Sequence, residues 1–324
     1  MTSRLLLRHA GKGWTGLVSD FTVLTLNWNG KTVLPPMIES LAGPVEKMGG
    51  SLLVFDNGST DGSPEEAEEA WGEFPWFTLV RSRDNLGFAG GANAAIRDLG
   101  TEYVVLANSD TVFLPGSLEI IMQTVRSHPE YGVTGPKLLW PDGSLQRSLR
   151  DFPFPGVLLR EHLPFLRSRS AVRDPHEKPR TVDWLVGAVM AFRREVFLEV
   201  GGFDEDFFFY HEETDLQYRL GRAGYPSFFV PSAEVIHVEG GSAVQKFGRE
   251  TYTKYIRAKL MFLAKHGYRG SRTLFRAFMW ALQSCRLTAG FLFPPLRRRD
   301  VRYTFSYCRT AFRELCSSNG RENR

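Results

Sequence analysis

Residues 51–63, SLLVFDNGSTDGS, decide the fold. Ser51–Phe55 is apolar and rich in strand formers, without polar alternation, and it stops at Asp56-Asn57-Gly58, three turn formers in a row. A short strand that is apolar on both faces fits a sheet covered on both sides. The same figure recurs on either side of it. FTVLTLNW (21–28) ends in Asn29-Gly30, FTLV spans 77–80, and YVVLA (103–107) runs into Asn108-Ser109-Asp110. Helices are predicted between these strands, over 31–48, 64–72 and 88–99. Strand and helix in alternation read as βαβ units, hence an α/β fold with a mostly parallel central sheet and flanking helices.

The second half is less regular. Residues 151–179 hold five prolines and many charges, and they predict a long loop. After it come WLVGAVMAF (184–192), an acidic helix beyond Phe203, and an apolar run from Phe228 to Val238. There is no internal repeat and no low-complexity tract. With 324 residues, 43% of them hydrophobic, the chain can form one large α/β domain with an appendage, or two small domains.

The net charge of +4 is unevenly spread. Twelve arginines, no lysine and three acids lie between Arg269 and Arg324, so the first 268 residues carry a net negative charge. A basic tail of this kind meets an anionic partner or forms a solvated helical face; lipid headgroups and nucleic acid are the two anionic candidates. The three cysteines, Cys285, Cys308 and Cys316, form no C-x-x-C pair, which argues against a disulfide framework and a zinc cluster and fits a reducing, cytoplasmic setting. At the N-terminus, Arg4 and Arg8 flank an apolar run too short for a signal peptide or a membrane span. The stretch from Thr273 to Phe293, interrupted by Arg276 and Arg286, reads as an amphipathic interfacial helix.

In a parallel α/β sheet, ligands bind beyond the carboxyl ends of the strands. Three strand ends carry amides and carboxylates: Asn27-Trp28-Asn29, the run Asp56–Ser63, and Asn108-Ser109-Asp110. Each alone is equally an ordinary turn; together they favour a polar site. Asp110 stands where a carboxylate can hold a hard divalent cation that also binds phosphate, Mg²⁺ or Mn²⁺, or where it can cap the turn before Leu114-Pro115. Neither a G-x-x-x-x-G-K-[ST] loop nor a G-x-G-x-x-G fingerprint occurs, which argues against a Walker-type phosphotransferase and a dinucleotide oxidoreductase. Gly87-Phe88-Ala89-Gly90-Gly91 matches neither, but it precedes a helical stretch whose N–H groups can face an anion. The densest acidic cluster is Asp204-Glu205-Asp206 with Glu212-Glu213-Thr214-Asp215. By composition it reads first as acids capping and solvating a helix, and second as the source of a general base. His237, closing an apolar run, is either a structural histidine or a ligand.

In order and spacing, NWNG (27–30), DNGSTDGS (56–63), NLGFAGGAN (85–93), LANSD (106–110), WLVGA (184–188), GGFDEDFFFYHEETDLQYRLGRAGY (201–225) and IHVEGGS (236–242) resemble the family-2 glycosyltransferases of GT-A fold, in the subgroup that includes bacterial rhamnosyl- and galactofuranosyl-transferases. The resemblance covers about residues 20–265. It implies a GT-A nucleotide-diphospho-sugar transferase domain over 20–268, after a leader at 1–19 and before a basic, helical tail at 269–324. It places Asp56 at the nucleotide base, with Asn27, Asn57 and Asp61 nearby, and Asn85, Gly90, Asn93 and Asn108 in the rest of the donor pocket. Asp110 matches the last acid of the D-x-D-type metal motif, whose first position is here Asn108, and His237 matches the histidine that completes the metal site. Trp184, Gly187, Ala188 and Glu212 fall on the acceptor side. Where the family has Glu-Asp this chain has Glu212-Glu213, so the implied base is Glu213, with Glu212 and Asp215 as fallbacks.

The activity implied is inverting transfer of a sugar from a nucleotide diphosphate to a hydroxyl of a saccharide or lipid-linked acceptor, in cell-surface polysaccharide synthesis. Rhamnose from a deoxythymidine diphosphate donor is the first sugar expected, and uridine-diphosphate sugars come next. The 151–179 segment is expected to close over the donor. The tail implies peripheral contact with the inner face of the membrane and no nucleic acid partner. Two other classes stand beside this one. A sugar nucleotidyltransferase would carry a glycine-rich, Arg/Lys-bearing loop near the first strand, where this chain has NWNG. A non-catalytic carbohydrate-binding relative would not need Asp110, Glu213 and His237.

Overall fold

A computed structural model describes residues 19–154, 157, 176–207, 210–238, 251–267, 277, 281 and 284. The first half is the expected alternation: β1 (Phe21–Asn27), α1 (Leu34–Lys47), β2 (Ser51–Asp56), α2 (Ser63–Trp71), β3 (Phe77–Arg81), α3 (Gly87–Asp98) and β4 (Tyr103–Asn108). Then follow β5 (Thr111–Phe113), α4 (Ser117–Ser127), β6 (Val133–Leu139), β7 (Leu145–Gln146), β8 (Leu149–Arg150), β9 (Arg180–Val182), β10 (Trp184–Leu185), β11 (Val189–Arg193), α5 (Arg194–Glu199), α6 (Glu212–Arg222), β12 (Ser227–His237) and α7 (Thr251–Lys265).

The chain divides into two compact units. The larger takes 1–152, 174–208 and 212–242; the other takes 153–173, 209–211 and 243–324. In the larger unit a ten-stranded sheet runs β3-β2-β1-β4-β11-β6-β12-β5, with β7 beside β6 and β9 beside β12, and β10 pairs with β8 separately. β3, β2, β1 and β4 are mutually parallel, as are β6 and β12; β11 runs antiparallel between β4 and β6.

Successive residues of the central strands feed opposite cores, because strand side chains alternate between faces. Val23, Leu52, Val54, Val105 and Ala107 pack with α1, α2 and α4. Leu24, Leu53, Phe55, Val104 and Leu106 pack with α3, α5 and α6. The double coverage explains why these strands read as unbroken apolar runs. Helix α1 buries Leu34, Met37, Ile38, Leu41 and Val45, one face at helical spacing, and starts on prolines whose missing N–H groups cost nothing in a first turn.

Strand β6 is the irregular member. It carries Gly135-Pro136 inside the sheet, and β12 accommodates the proline by shifting register: Val230 pairs with Pro136, whereas Glu234 pairs with Lys137. The extra β12 residues bulge where Pro136 has no N–H to give.

In the smaller unit, helix α7 lays Tyr255 against the His211 ring at 5.0 Å, and the Lys259 ammonium sits 4.7 Å from the centre of the Tyr255 ring. Burial and the Lys259 charge pull the His211 imidazole down to about 3. All but the last residue of the expected leader (1–19), most of the 151–179 loop and nearly all of the basic tail lie outside the described residues.

Candidate active site

Three parallel strands end on one rim, and a hydrogen-bond web organises the turns beyond β1 and β2. Asn27, fully buried, donates through Nδ2 to Asp56 Oδ1 (3.0 Å), Ser59 Oγ (3.1 Å) and Ser63 Oγ (2.8 Å). Asp56 also accepts from the Ser59 N–H at 3.1 Å. Its carboxyl is pushed up by burial, a pull only partly offset by the bonds from Ser59 and Asn27 and by the Arg81 charge. Asp61 accepts from the Ser63 N–H and hydroxyl and from the Lys31 N–H. Burial pulls its carboxyl up, but those hydrogen bonds outweigh it and hold the group below the usual range. Asn29 joins the two turns, its N–H donating to Ser59 Oγ and its Oδ1 accepting from the Thr60 N–H.

Asn57 secures the entry to α3: Oδ1 accepts from the Leu86 N–H at 2.8 Å, and Nδ2 donates to Gly87 O at 2.9 Å and Asn85 Oδ1 at 3.4 Å. Asn85 Oδ1 accepts in turn from the Gly87 N–H. Asn27, Asp56, Asn57, Asp61 and Asn85 thus form one contiguous polar wall. Asn93 is turned to another task. Its amide pairs with the backbone of Phe203 through both the N–H and the C=O, and it donates to Glu205 Oε1 at 3.0 Å. This latch needs a residue without a side chain at Gly202 (φ 69°), where a Cβ would lie 2.7 Å from Asn93 Oδ1. Gly90 faces Glu205, whose Oε2 is 4.0 Å from where a Cβ would stand.

Asp110 and His237 come together from β4 and β12. The Val238 N–H donates to Asp110 O at 2.9 Å, Thr111 pairs with His237 in the β5–β12 ladder, and His237 Nε2 lies 3.4 Å from Asp110 Oδ1. Both side chains are nearly buried. Two donors that bind one ion at about 2.0–2.2 Å, side by side, stand about 3 Å apart, so the pair fits a small divalent cation. Among the described residues no cluster of three or more His, Cys, Asp or Glu side chains is placed to hold a metal. A cation here would complete its coordination with phosphate oxygens and water, as Mg²⁺ does. Asn108 donates its backbone N–H to Ala188 O at 2.8 Å and accepts the Thr111 hydroxyl at its carbonyl.

The acidic pair opens α6, where the helix N-terminus favours negative charge. Glu212 is buried, and its carboxyl is driven well above the usual range by that burial and by the Glu213 charge beside it. Glu213 is less deeply buried, and its stem lies against Gly187: a Cβ there would be 3.1 Å from Glu213 Cβ and 3.2 Å from Cγ. Gly187 precedes Ala188, which bonds Asn108, two residues before Asp110. A short run of contacts therefore connects the acid pair to the Asp110 end of the rim. Ala188 is fully buried and takes part through its carbonyl, while Trp184 donates its indole N–H to Asp151 O at 2.9 Å. Asp215, fully buried, accepts from Arg219 Nε at 2.8 Å, and the same guanidinium donates to Val200 O and Gly202 O. That carboxylate anchors α6 to the 200–202 turn.

Two glutamines stand at this site without having been singled out in the sequence, because neither can titrate. Gln217, one turn after Glu213, exchanges two hydrogen bonds of 2.8 Å with the backbone of Leu185, accepts from Ser227 Oγ and donates to Glu213 O. Gln146 Oε1 lies 2.9 Å from His237 Nδ1.

The profile of the glycosyltransferase-like family 2 matches residues 19–260, and the chain belongs to that family. Among its relatives is the N-acetylglucosaminyl-diphospho-decaprenol L-rhamnosyltransferase of Mycobacterium tuberculosis, 37% identical over 210 residues, which cover 58% of this chain and 66% of that protein. The match thus spans slightly under two thirds of that relative's length. The rhamnosyltransferase WbbL of Escherichia coli K12 is 36% identical over 93 residues, 28% of this chain and 34% of its own. In fold, the chain is similar to the mannosyltransferase PcManGT of Pyrobaculum calidifontis in complex with GDP-Man and Mn²⁺ (TM-score 0.55, 17% identity, 93% of this chain and 88% of that one). It is also similar to GalNAc-T7 with UDP, GalNAc and Mn²⁺ (TM-score 0.55, 15% identity, 74% and 47%). The fold is the GT-A glycosyltransferase fold.

Proposed function

We propose that the chain is an inverting glycosyltransferase that moves a hexosyl group, rhamnosyl in the first instance, from a nucleoside diphosphate to a hydroxyl of a lipid-linked or glycan acceptor in cell-surface polysaccharide synthesis. The observation that carries it is the approach of Asp110 and His237 to 3.4 Å on the rim where the parallel strands end. A divalent cation bound there would supply charge stabilisation to a departing diphosphate. The wall built by Asn27, Asp56, Asn57, Asp61 and Asn85 offers a nucleoside a polar, hydrogen-bonded surface.

Glu213 is the proton acceptor for the incoming hydroxyl. Burial and the neighbouring Glu213 charge drive the Glu212 carboxyl well above the usual range, which makes it the poorer proton acceptor of the pair. Asp215 is engaged by Arg219. Gly187 fixes where the Glu213 stem rests, and Trp184 stands on the same short segment as an acceptor-side wall. The relative from M. tuberculosis is named for a polyprenol-linked diphosphosaccharide acceptor, and the arginines between Arg269 and Arg324 suit the anionic surface where such an acceptor resides. The proposal therefore takes residues 20–268 as the catalytic domain and 269–324 as a segment that meets the inner face of the membrane. No helix among the described residues is long and apolar enough to cross a membrane.

The test is thermal shift of the purified protein against a panel of nucleotide sugars with Mn²⁺. A ligand at 100 times its Kd stabilises the folded state by about 2.7 kcal/mol. A shift with one donor that requires the metal and is lost in Asp110→Ala names the donor. Absence of a shift with every donor refutes the reading.

A further inference from the structure

The two ring nitrogens of His237 face different groups. Nδ1 lies 2.9 Å from Gln146 Oε1, and Nε2 lies 3.4 Å from Asp110 Oδ1. A neutral imidazole carries one proton, and an amide oxygen only accepts. The 2.9 Å contact therefore puts the proton on Nδ1. In the neutral ring Nε2 then turns its lone pair toward a carboxylate oxygen, and two such acceptors repel each other unless a metal cation or a second ring proton lies between them.

We propose that Gln146 is a positioning residue: by accepting from Nδ1–H it fixes the tautomer and the rotation of the His237 ring, so that Nε2 presents a lone pair to a divalent cation shared with Asp110. The inference rests on the metal reading of Asp110 and His237 and adds to it the residue that makes His237 a ligand. A hydrogen bond on the far nitrogen of a ligating histidine both orients the ring and raises the basicity of the coordinating nitrogen.

The fold delivers Gln146 with little freedom. A tight turn joins β6 to β7: the Trp140 N–H donates to Ser144 O (2.8 Å), the Gly143 N–H donates to Trp140 O (2.9 Å), and Asp142 Oδ1 accepts from both the N–H and the hydroxyl of Ser144. The turn sets the register that pairs Gln146 with Leu138, while β6 pairs Leu139 with Ile236 on its other side. Gln146 and His237 thus flank the end of one strand, and each is buried, with 5% and 6% of its surface exposed, so water competes poorly for the bond.

The experiment uses the full chain labelled with ¹⁵N-histidine, with the His237 signals assigned by their loss in His237→Gln. In metal-free native protein at about pH 8, above the ordinary histidine range, ring ¹⁵N shifts report which nitrogen carries the proton. The expected result is Nδ1–H. In Gln146→Leu the proton moves in part to Nε2, and Mn²⁺ affinity, read by the paramagnetic broadening of the His237 signals, falls about 10- to 100-fold. Gln146→Glu, which still accepts from Nδ1–H, keeps the native tautomer and affinity within a few-fold. A proton on Nε2 in the native protein overturns the proposal without recourse to a variant, and so does a Gln146→Leu protein with unchanged tautomer and affinity. If the proton is on Nδ1 and moves in Gln146→Leu, but saturating Mn²⁺ leaves His237 unbroadened, Gln146 sets the tautomer as proposed and the metal reading is what falls.

Discussion

Replacing Gln217 with leucine should both destabilise the domain and slow the reaction, and the size of the first effect follows from the strand pairing. In the β8–β10 pair, Leu185 lies opposite Leu149, and the next residue, Val186, donates to Ser148 O at 2.9 Å. Antiparallel pairing alternates, so the Leu185 N–H and C=O point away from β8. The Gln217 amide meets them both and stands in for a missing strand. Leucine keeps the volume but orphans two backbone groups of a residue that is 1% exposed. At about 1–3 kcal/mol for each orphaned group, the loss is about 2–5 kcal/mol after local relaxation, equivalent to a fall in Tm of about 5–15 °C. Urea unfolding, with the slope of the transition compared between the two proteins, measures it. Because the same amide holds the Glu213 carbonyl and the segment leading to Gly187, kcat should fall further than KM changes. A loss under about 1 kcal/mol would mean that the Leu185 groups find water or other partners, and the argument would fail.

Glu213→Gln should lower kcat by about 10²- to 10⁴-fold with little change in donor KM; steady-state kinetics that match the parent remove Glu213 as the base. Glu212 gives a test in pH. Its folded-state carboxyl is raised above the unfolded value, so the folded protein binds that proton more tightly, and stability is undiminished below the ordinary carboxylate range. Stability then declines as pH rises from the unfolded pKa toward the folded one. Glu212→Gln removes that decline: its Tm should match the parent at about pH 4 and exceed it at about pH 8, and a difference that does not vary with pH counts against it. Gly187→Ala puts a methyl within 3.1–3.2 Å of the Glu213 stem, which must shift by a few tenths of an ångström. With about 1 Å of misplacement costing about 100-fold, kcat should drop several-fold while Tm changes little. Unchanged kcat would show that the base tolerates the move.

The parallel half of the sheet was legible because its strands are buried on both faces and end in turn formers: the runs at 21–28, 51–55, 77–80 and 103–107 correspond to β1 to β4. Strand β6 was not, since Gly135-Pro136 is the signature of a break, and the register shift of β12 beside it is not encoded locally. The single apolar run 184–192 became two strands, β10 and β11, because the chain turns at Gly187-Ala188 to leave one sheet for another. Within the site, chemical type singled out Asp110, His237, Glu212 and Glu213 as candidates, and only the family resemblance gave them roles. The resemblance put Asn93 in the donor pocket; the structure adds that its amide is engaged with Phe203 and Glu205, contacts set by packing distant in sequence. The roles of Gln146 and Gln217 depend wholly on which backbone or ring stands opposite, and no local pattern encodes that.

Strand β12 enters the sheet between β6 and β5, and it brings His237 to Asp110 in the same step. A nascent chain carries Asp110 soon after β4 emerges from the ribosome, yet it gains His237 only when nearly the whole domain has been synthesised. The last strand among the described residues is an interior one, and short β5 waits for it as a pairing partner. Non-local pairings of this kind form late and slowly. If Asp110 and His237 hold the cation proposed above, reactivity toward an activated sugar is withheld from partly folded chains, and completion of the sheet is the step that assembles the site.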